Sequence, residues 1–202
     1  MKKLSTLMAM MLAAWLFQAC NGGSNSKVSD STASTAKDAT SVKDTVKADT
    51  SSKLNVVADN DDVKFVDDAA SGGMTEVALG KIAQEKGVNP RVKKFGSMMV
   101  VDHSKANNEL MALAKSKNIA LPTAPNADDQ KTIDKLSAKS GKDFDDAYVS
   151  DMIDDHKHDI KEFEGASKTL KDPDLKAFAI KTLPVLKAHL DAINAVHDSM
   201  KK

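Results

Sequence analysis

From residue 61 to the C-terminus, apolar residues return every three or four positions, and no stretch alternates apolar and polar residues as a half-buried strand must. That spacing restricts this part of the chain to helices packing on helices. The punctuation divides it. A first run over about 62–86 stops at Gly87. Asn89-Pro90 supplies an N-cap and a first-turn proline for a second run to about 118. Leu121-Pro122-Thr123-Ala124-Pro125 breaks the chain, a short run over 128–138 ends at Gly141, and a long run follows over about 142–171. Asp172-Pro173 repeats the cap-and-proline start, and the last run reaches the C-terminus with Pro184 inside it, where a kink is expected. Four long helices with short links and one short extra helix predict an all-α, up-down-up-down four-helix bundle over 61–202.

Each long run carries an apolar stripe. The first shows Val66, Ala69, Gly73, Val77, Gly80 and Ala83; the second Val92, Phe95, Met99, Ala106, Leu110 and Leu113. The third shows Phe144, Tyr148, Met152, Ile160, Phe163 and Leu170; the fourth Leu175, Phe178, Leu186, Leu190, Ile193 and Met200. Each stripe also holds one ionisable residue at helical spacing: Glu76, His103, His156 and His189. His158 shares a face with Asp151 and Glu162 and reads as solvated, and His197 falls near the chain end. Glu76, His103 and His156 sit near the midpoints of their helices and His189 within about a turn of its own, so matched antiparallel helices bring all four to one level. Gly72, Gly73 and Gly80 offer a surface on which a neighbouring helix can pack closely.

Two readings of that layer stand side by side. Three imidazoles and one carboxylate can form a transition-metal site for Cu, Zn or Fe, the Glu adding a hard oxygen donor. The same residues can form a metal-free buried network, with Glu76 bonded to imidazoles and Tyr148, Asp102 and Asp155 completing the set. Met99 and Met152, one turn from two of the histidines, read as core filler. No catalytic set is recognised: nucleophile elbow, phosphate loop and Cys/His zinc spacing are all lacking.

The N-terminus carries an address. Lys2 and Lys3 precede an apolar stretch from Leu4 to Leu16, and Phe17-Gln18-Ala19-Cys20 resembles a lipobox. Residues 1–19 therefore read as a lipoprotein signal peptide and Cys20, the sole cysteine, as the lipidated residue that ties the chain to a membrane. Residues 20–60 are rich in Ser, Thr, Asp, Lys and Ala with no aromatic side chain, a composition expected to form a disordered tether. Asn21 after Cys20 points, by the enterobacterial sorting rule, to an exported protein anchored at the outer membrane. The chain is neutral overall, with 29 basic and 29 acidic residues and no basic stripe, so nucleic acid is not an expected partner.

Several phrases together resemble one bacterial envelope family. They are Met99-Val100-Val101-Asp102-His103 with Asn108-Glu109-Leu110, Leu121-Pro122, Phe144-Asp145-Asp146-Ala147-Tyr148, Met152, Asp155-His156 and Leu183-Pro184-Val185-Leu186-Lys187-Ala188-His189-Leu190. The family is domain of unknown function 4142, whose members are often labelled outer membrane proteins and are placed among ferritin-like bundles. The resemblance covers about 61–198 and implies the ferritin-like fold; the family's recurring polar positions fall on Glu76, His103, His156 and His189. It does not carry over ferroxidase chemistry, because Val100, Ile153 and Leu186 stand where a Glu-x-x-His pair needs its glutamate. The overall expectation is a lipid-anchored envelope protein, either a metal binder or a structural or interaction lipoprotein.

Overall fold

The computed structural model describes residues 58–201. The expected signal peptide over 1–19, Cys20 and the expected linker as far as 57 lie outside the described residues. The described residues form five helices in order: α1 Asn60–Lys86, α2 Pro90–Ser116, α3 Ala127–Ser137, α4 Gly141–Thr169 and α5 Pro173–Met200. Their starts follow from the side chains there. Asp59, Asn89, Asn126 and Asp172 each accept a hydrogen bond from backbone N–H groups of the turn they open. Proline occupies the first turn of α2 and of α5. Beyond α2, Asn118 takes the left-handed backbone (φ 56°) that asparagine tolerates better than most residues. Pro184 lies within an unbroken α5; it and Ile180 are exposed, so the carbonyl that the proline leaves without a donor can be hydrated.

Paired residues give the direction of each helix. Gly80 meets Gly96 and Glu76 meets His103, so α1 and α2 are antiparallel. Glu164–Lys187 and His156–His189 make α4 and α5 antiparallel. Glu109–Lys181 and Asp102–His189 set α2 against α5, and Glu76–His156 sets α1 against α4. The long helices thus form a square in the order α1, α2, α5, α4, every neighbour antiparallel. Helix α3 lies alongside α1, from Ser71 (bonded to Asp129) to Lys86 (bonded to the Ser137 carbonyl), and runs parallel to it. The short helix therefore takes one of the chain's reversals. It carries the chain back to the end where α4 begins, so α2 and α4 run the same way across the diagonal, and the expected up-down alternation holds only with α3 counted: the four long helices alone run up, down, down, up.

The core has two apolar regions. One gathers Phe65, Val66, Leu110, Phe163, Leu175, Phe178 and Leu186, with the three phenylalanine rings in mutual contact. The other gathers Leu79, Val92, Phe95, Met99, Phe144, Tyr148, Met152 and Ile193. On every long helix the predicted ionisable residue falls between the two. The stripe on α1 is wider than its spacing suggests: Phe65 and Leu79 are buried, whereas Val77 is half-buried.

Two features fix how the helices sit. The first is a backbone crossing. A Cβ on Gly80 would stand 2.6 Å from the Gly96 carbonyl oxygen, and one on Gly96 would stand 2.7 Å from the Gly80 oxygen. Gly73 likewise leaves room for the Asn107 side chain, but nothing approaches Gly72 within 4 Å, so only two of the three glycines expected to serve packing on α1 do so. The second is a pair of buried aspartates at opposite ends. Asp145 of α4 accepts hydrogen bonds from the Val88 and Asn89 N–H groups in the α1–α2 link, the shortest 2.8 Å. Asp62 of α1 accepts them from Lys171 and Asp172 in the α4–α5 link, at 3.0 and 3.1 Å. Each helical hairpin thereby holds the turn of the other. Among the described residues, no helix is long and apolar enough to cross a membrane.

Candidate metal centre

Glu76, His103, His156 and His189 are all buried, with Glu76 1% and His156 0% exposed. They meet at one level. The three imidazole centroids are 5.2 to 5.8 Å apart, and one ring nitrogen from each lies within 4.8 Å of one from each of the others. Glu76 joins α1 to both helices beside it: its Oε2 is 2.6 Å from His103 Nδ1 and its Oε1 is 3.4 Å from His156 Nε2. His158 and His197, expected outside the layer, are outside it: the His158 side chain is largely exposed and that of His197 half-buried.

Hydrogen bonding orients every ring. His156 Nδ1 lies 2.9 Å from the Met152 carbonyl, one turn back on its own helix. A carbonyl only accepts, so Nδ1 carries the hydrogen and Nε2 of the neutral ring presents its lone pair. His189 Nε2 lies 3.0 Å from Asp102 Oδ2. Donating there leaves His189 Nδ1 as a second lone pair, 3.3 Å from His156 Nε2. His103 is held through Nδ1 by Glu76, and its buried Nε2 has no hydrogen-bond partner. One nitrogen of each imidazole is thus engaged by an outer oxygen (a glutamate, a backbone carbonyl, an aspartate), the arrangement by which metal-binding histidines are oriented.

Burial governs the protonation states. It lowers His103 to about 4, against the opposing pull of Asp155 and Asp102. It lowers His156 to about 3, with His103 and His189 adding to the effect, and it lowers His189 despite the Asp102 hydrogen bond. Glu76 is raised well above the usual carboxylate range, by burial first and by the charge of Asp129 second. Burial and nearby carboxylates also push the Tyr148 hydroxyl up. The layer therefore offers neutral nitrogen donors, the form in which imidazole binds metals.

Among the described residues, three buried side-chain atoms have no hydrogen-bond partner: Glu76 Oε1, His103 Nε2 and the Tyr148 hydroxyl oxygen. A narrow cavity of about 30 Å³, sufficient for one or two waters, reaches Glu76 and His103 past Asp68, Gly73, Asn107 and Asp159. The donor atoms resolve into two overlapping groups, His103–His156–His189 and Glu76–Asp155–His156. Spacing and depth pointed to the first. Asp155 appeared in the sequence only as a possible member of a polar network, and Asp159 gave no signal beyond standing four residues from it.

The fold and the layer define a class: an antiparallel four-helix bundle with a buried polyimidazole–carboxylate centre. The chain belongs to the family designated domain of unknown function 4142, whose model matches residues 46–196. No curated protein matches it. Among solved structures it is similar to a crystal structure of a DUF305 fragment from Deinococcus radiodurans, with a TM-score of 0.61 at 12% identity, over 69% of this chain and 96% of that one. At that identity the likeness bears on the fold, which is ferritin-like.

Proposed function

We propose that this protein is a metal-binding module of the bacterial cell envelope, held at the outer membrane through lipidated Cys20. It binds one transition-metal ion of the Cu, Zn or Fe kind, with His103, His156 and His189 as nitrogen donors and Glu76 as the adjoining carboxylate. The supporting observation is the pairing pattern. All three rings are fixed from outside by oxygen atoms, while His156 Nε2 and His189 Nδ1 present lone pairs to each other at 3.3 Å. A closed hydrogen-bond network pairs donors with acceptors, whereas this layer sets acceptor against acceptor and leaves His103 Nε2 and Glu76 Oε1 unpartnered. A cation satisfies all of them together. The role is sequestration or delivery rather than turnover, since no nucleophile or substrate-sized cleft adjoins the layer among the described residues.

The rival reading, a metal-free structural or interaction lipoprotein, draws on the hydrogen bonds His103–Glu76, His156–Met152 and His189–Asp102, which need no ion. Elemental analysis after incubation with Cu(II), Zn(II) and Fe(II), followed by gel filtration, separates the two. One equivalent of Cu(II) or Zn(II) is expected at the imidazole layer, lost in His156→Ala while far-ultraviolet circular dichroism stays helical. Absence of bound metal after all three incubations would sink the metal reading. Labelling with radioactive palmitate, abolished by Cys20→Ala, tests the anchor.

A further inference from the structure

The imidazole site leaves a second group of donors, half-buried on α4, without a task. Asp151, Asp155 and Asp159 stand at four-residue intervals on α4, and so lie in line along one face of the helix. The charges that act on Asp155 and Asp159 are mainly those of other carboxylates: Glu76 across on α1, Asp129 on α3, and Asp151 and Glu162 on α4 itself. Crowding carboxylates together away from water is costly unless protons or a cation offset their charge. One oxygen of Glu76, one of Asp155 and a ring nitrogen of His156 lie within 4.8 Å of one another. Glu76 Oε1, 3.4 Å from His156 Nε2, is buried without a hydrogen-bond partner. Asp159, one turn beyond Asp155, lines the cavity that leads to Glu76.

We propose that Glu76 and Asp155 hold a second cation beside the imidazole-bound one, an oxygen-preferring divalent ion of the Mn(II) or Fe(II) kind, with Glu76 shared between the two and Asp159 on the wall of the cavity that leads to it. The donor chemistry sets the preference: carboxylate oxygens select harder ions and imidazoles select Cu and Zn. The two oxygens of Glu76 point in directions suited to sharing, Oε2 toward His103 and Oε1 toward His156. The bundle would then take two different metals, each from the part of the layer that suits it.

The test uses the full-length protein saturated with Zn(II), freed of excess and titrated with Mn(II). Free Mn(II) is followed by the electron paramagnetic resonance of the hydrated ion. One Mn(II) per chain is expected in the native protein, with affinity reduced roughly 10–100-fold or more in Asp155→Asn/Asp159→Asn and Zn(II) content unchanged. Failure of the Zn-loaded native protein to bind Mn(II) overturns the second site, and so does equal binding by the double variant. Uptake of Mn(II) without Zn(II) supports the carboxylate site and overturns the imidazole site alone. Should the double variant lose its helical circular dichroism, Asp155→Asn alone decides the matter, because Asp155 is only half-buried and its replacement keeps the side-chain shape.

Discussion

Replacing Gly80 with alanine tests the α1–α2 crossing on which the layer depends. The new methyl would stand 2.6 Å from the Gly96 carbonyl oxygen, 3.1 Å from Val100 Cγ2 and 3.2 Å from Met99 Cβ. The nearest of these is backbone and cannot rotate away, so the helices must separate. Overpacking of this kind costs about 1–3 kcal/mol, while alanine in a helix returns up to about 1 kcal/mol over glycine. A net loss of about 1–2 kcal/mol follows, a fall in Tm of roughly 3–8 °C. Gly72→Ala is the matched control, the same chemistry about two helix turns away, where the new methyl meets nothing within 4 Å. It should raise stability by about 0.5–1 kcal/mol. Urea unfolding of both variants by circular dichroism reads the difference in sign. If both become more stable, the backbones do not cross at Gly80 and Gly96. Separation of α1 from α2 also draws Glu76 away from His103, one turn off, so Gly80→Ala should bind metal more weakly whereas Gly72→Ala should not.

Two further outcomes are expected. Asp145→Ala removes the buried acceptor for the Val88 and Asn89 N–H groups and should cost about 1.5–3 kcal/mol in urea unfolding, with Asp62→Ala similar at the other end; losses under 0.5 kcal/mol would refute the clasp. The metal-free protein should not gain stability as pH rises above 6.5, and should lose it for as long as the folded carboxyls keep protons that the unfolded chain has shed. The buried histidines, lowered in the fold, cost stability only as pH falls from 6.5 toward 4, where the unfolded chain binds their protons. Glu76, Asp155 and Asp159, raised in the fold, keep protons that the unfolded chain has released above about 4.5. The two groups oppose each other up to 6.5, and beyond it only the carboxyl contribution changes, downward with pH. Urea midpoints at pH 6.5 and 8.5 check this; a rise would contradict the burial of those carboxyls. Metal reverses the slope, because binding displaces their protons.

The helices were legible because caps and breakers are local: Asn89-Pro90 and Asp172-Pro173 each mark a helix start by chemistry confined to a few residues. The layer was legible because Glu76, His103, His156 and His189 break apolar stripes near helix midpoints, and matched antiparallel helices convert midpoint into level. The order of helices around the square was not, since stripe periodicity says which face is buried and not which neighbour buries it. Asp145 hid in the acidic phrase Asp143-Phe144-Asp145-Asp146, whose other aspartates are exposed. Its sign was position: it shares a face with Tyr148, Val149 and Met152, as Asp62 does with Phe65 and Val66. The Met152 carbonyl that orients His156 is backbone and leaves no trace in residue type, and the sharing of Glu76 between two donor groups depends on distances across helices.

The reciprocal hold of Asp62 and Asp145 sets a rule for how such chains can change length. Each hairpin is pinned at its partner's turn, so the stretch from Asp62 to Glu76 and that from Asp145 to His156 act as fixed gauges. One residue added or removed there turns everything beyond it by about 100° around the helix and swings a donor out of the centre while the aspartate stays in place. Outside those gauges, in the 117–126 connection or beyond Met200, the same change touches neither. Length variation among chains that keep the centre should therefore gather in the connection and at the ends, and spare the two measured segments.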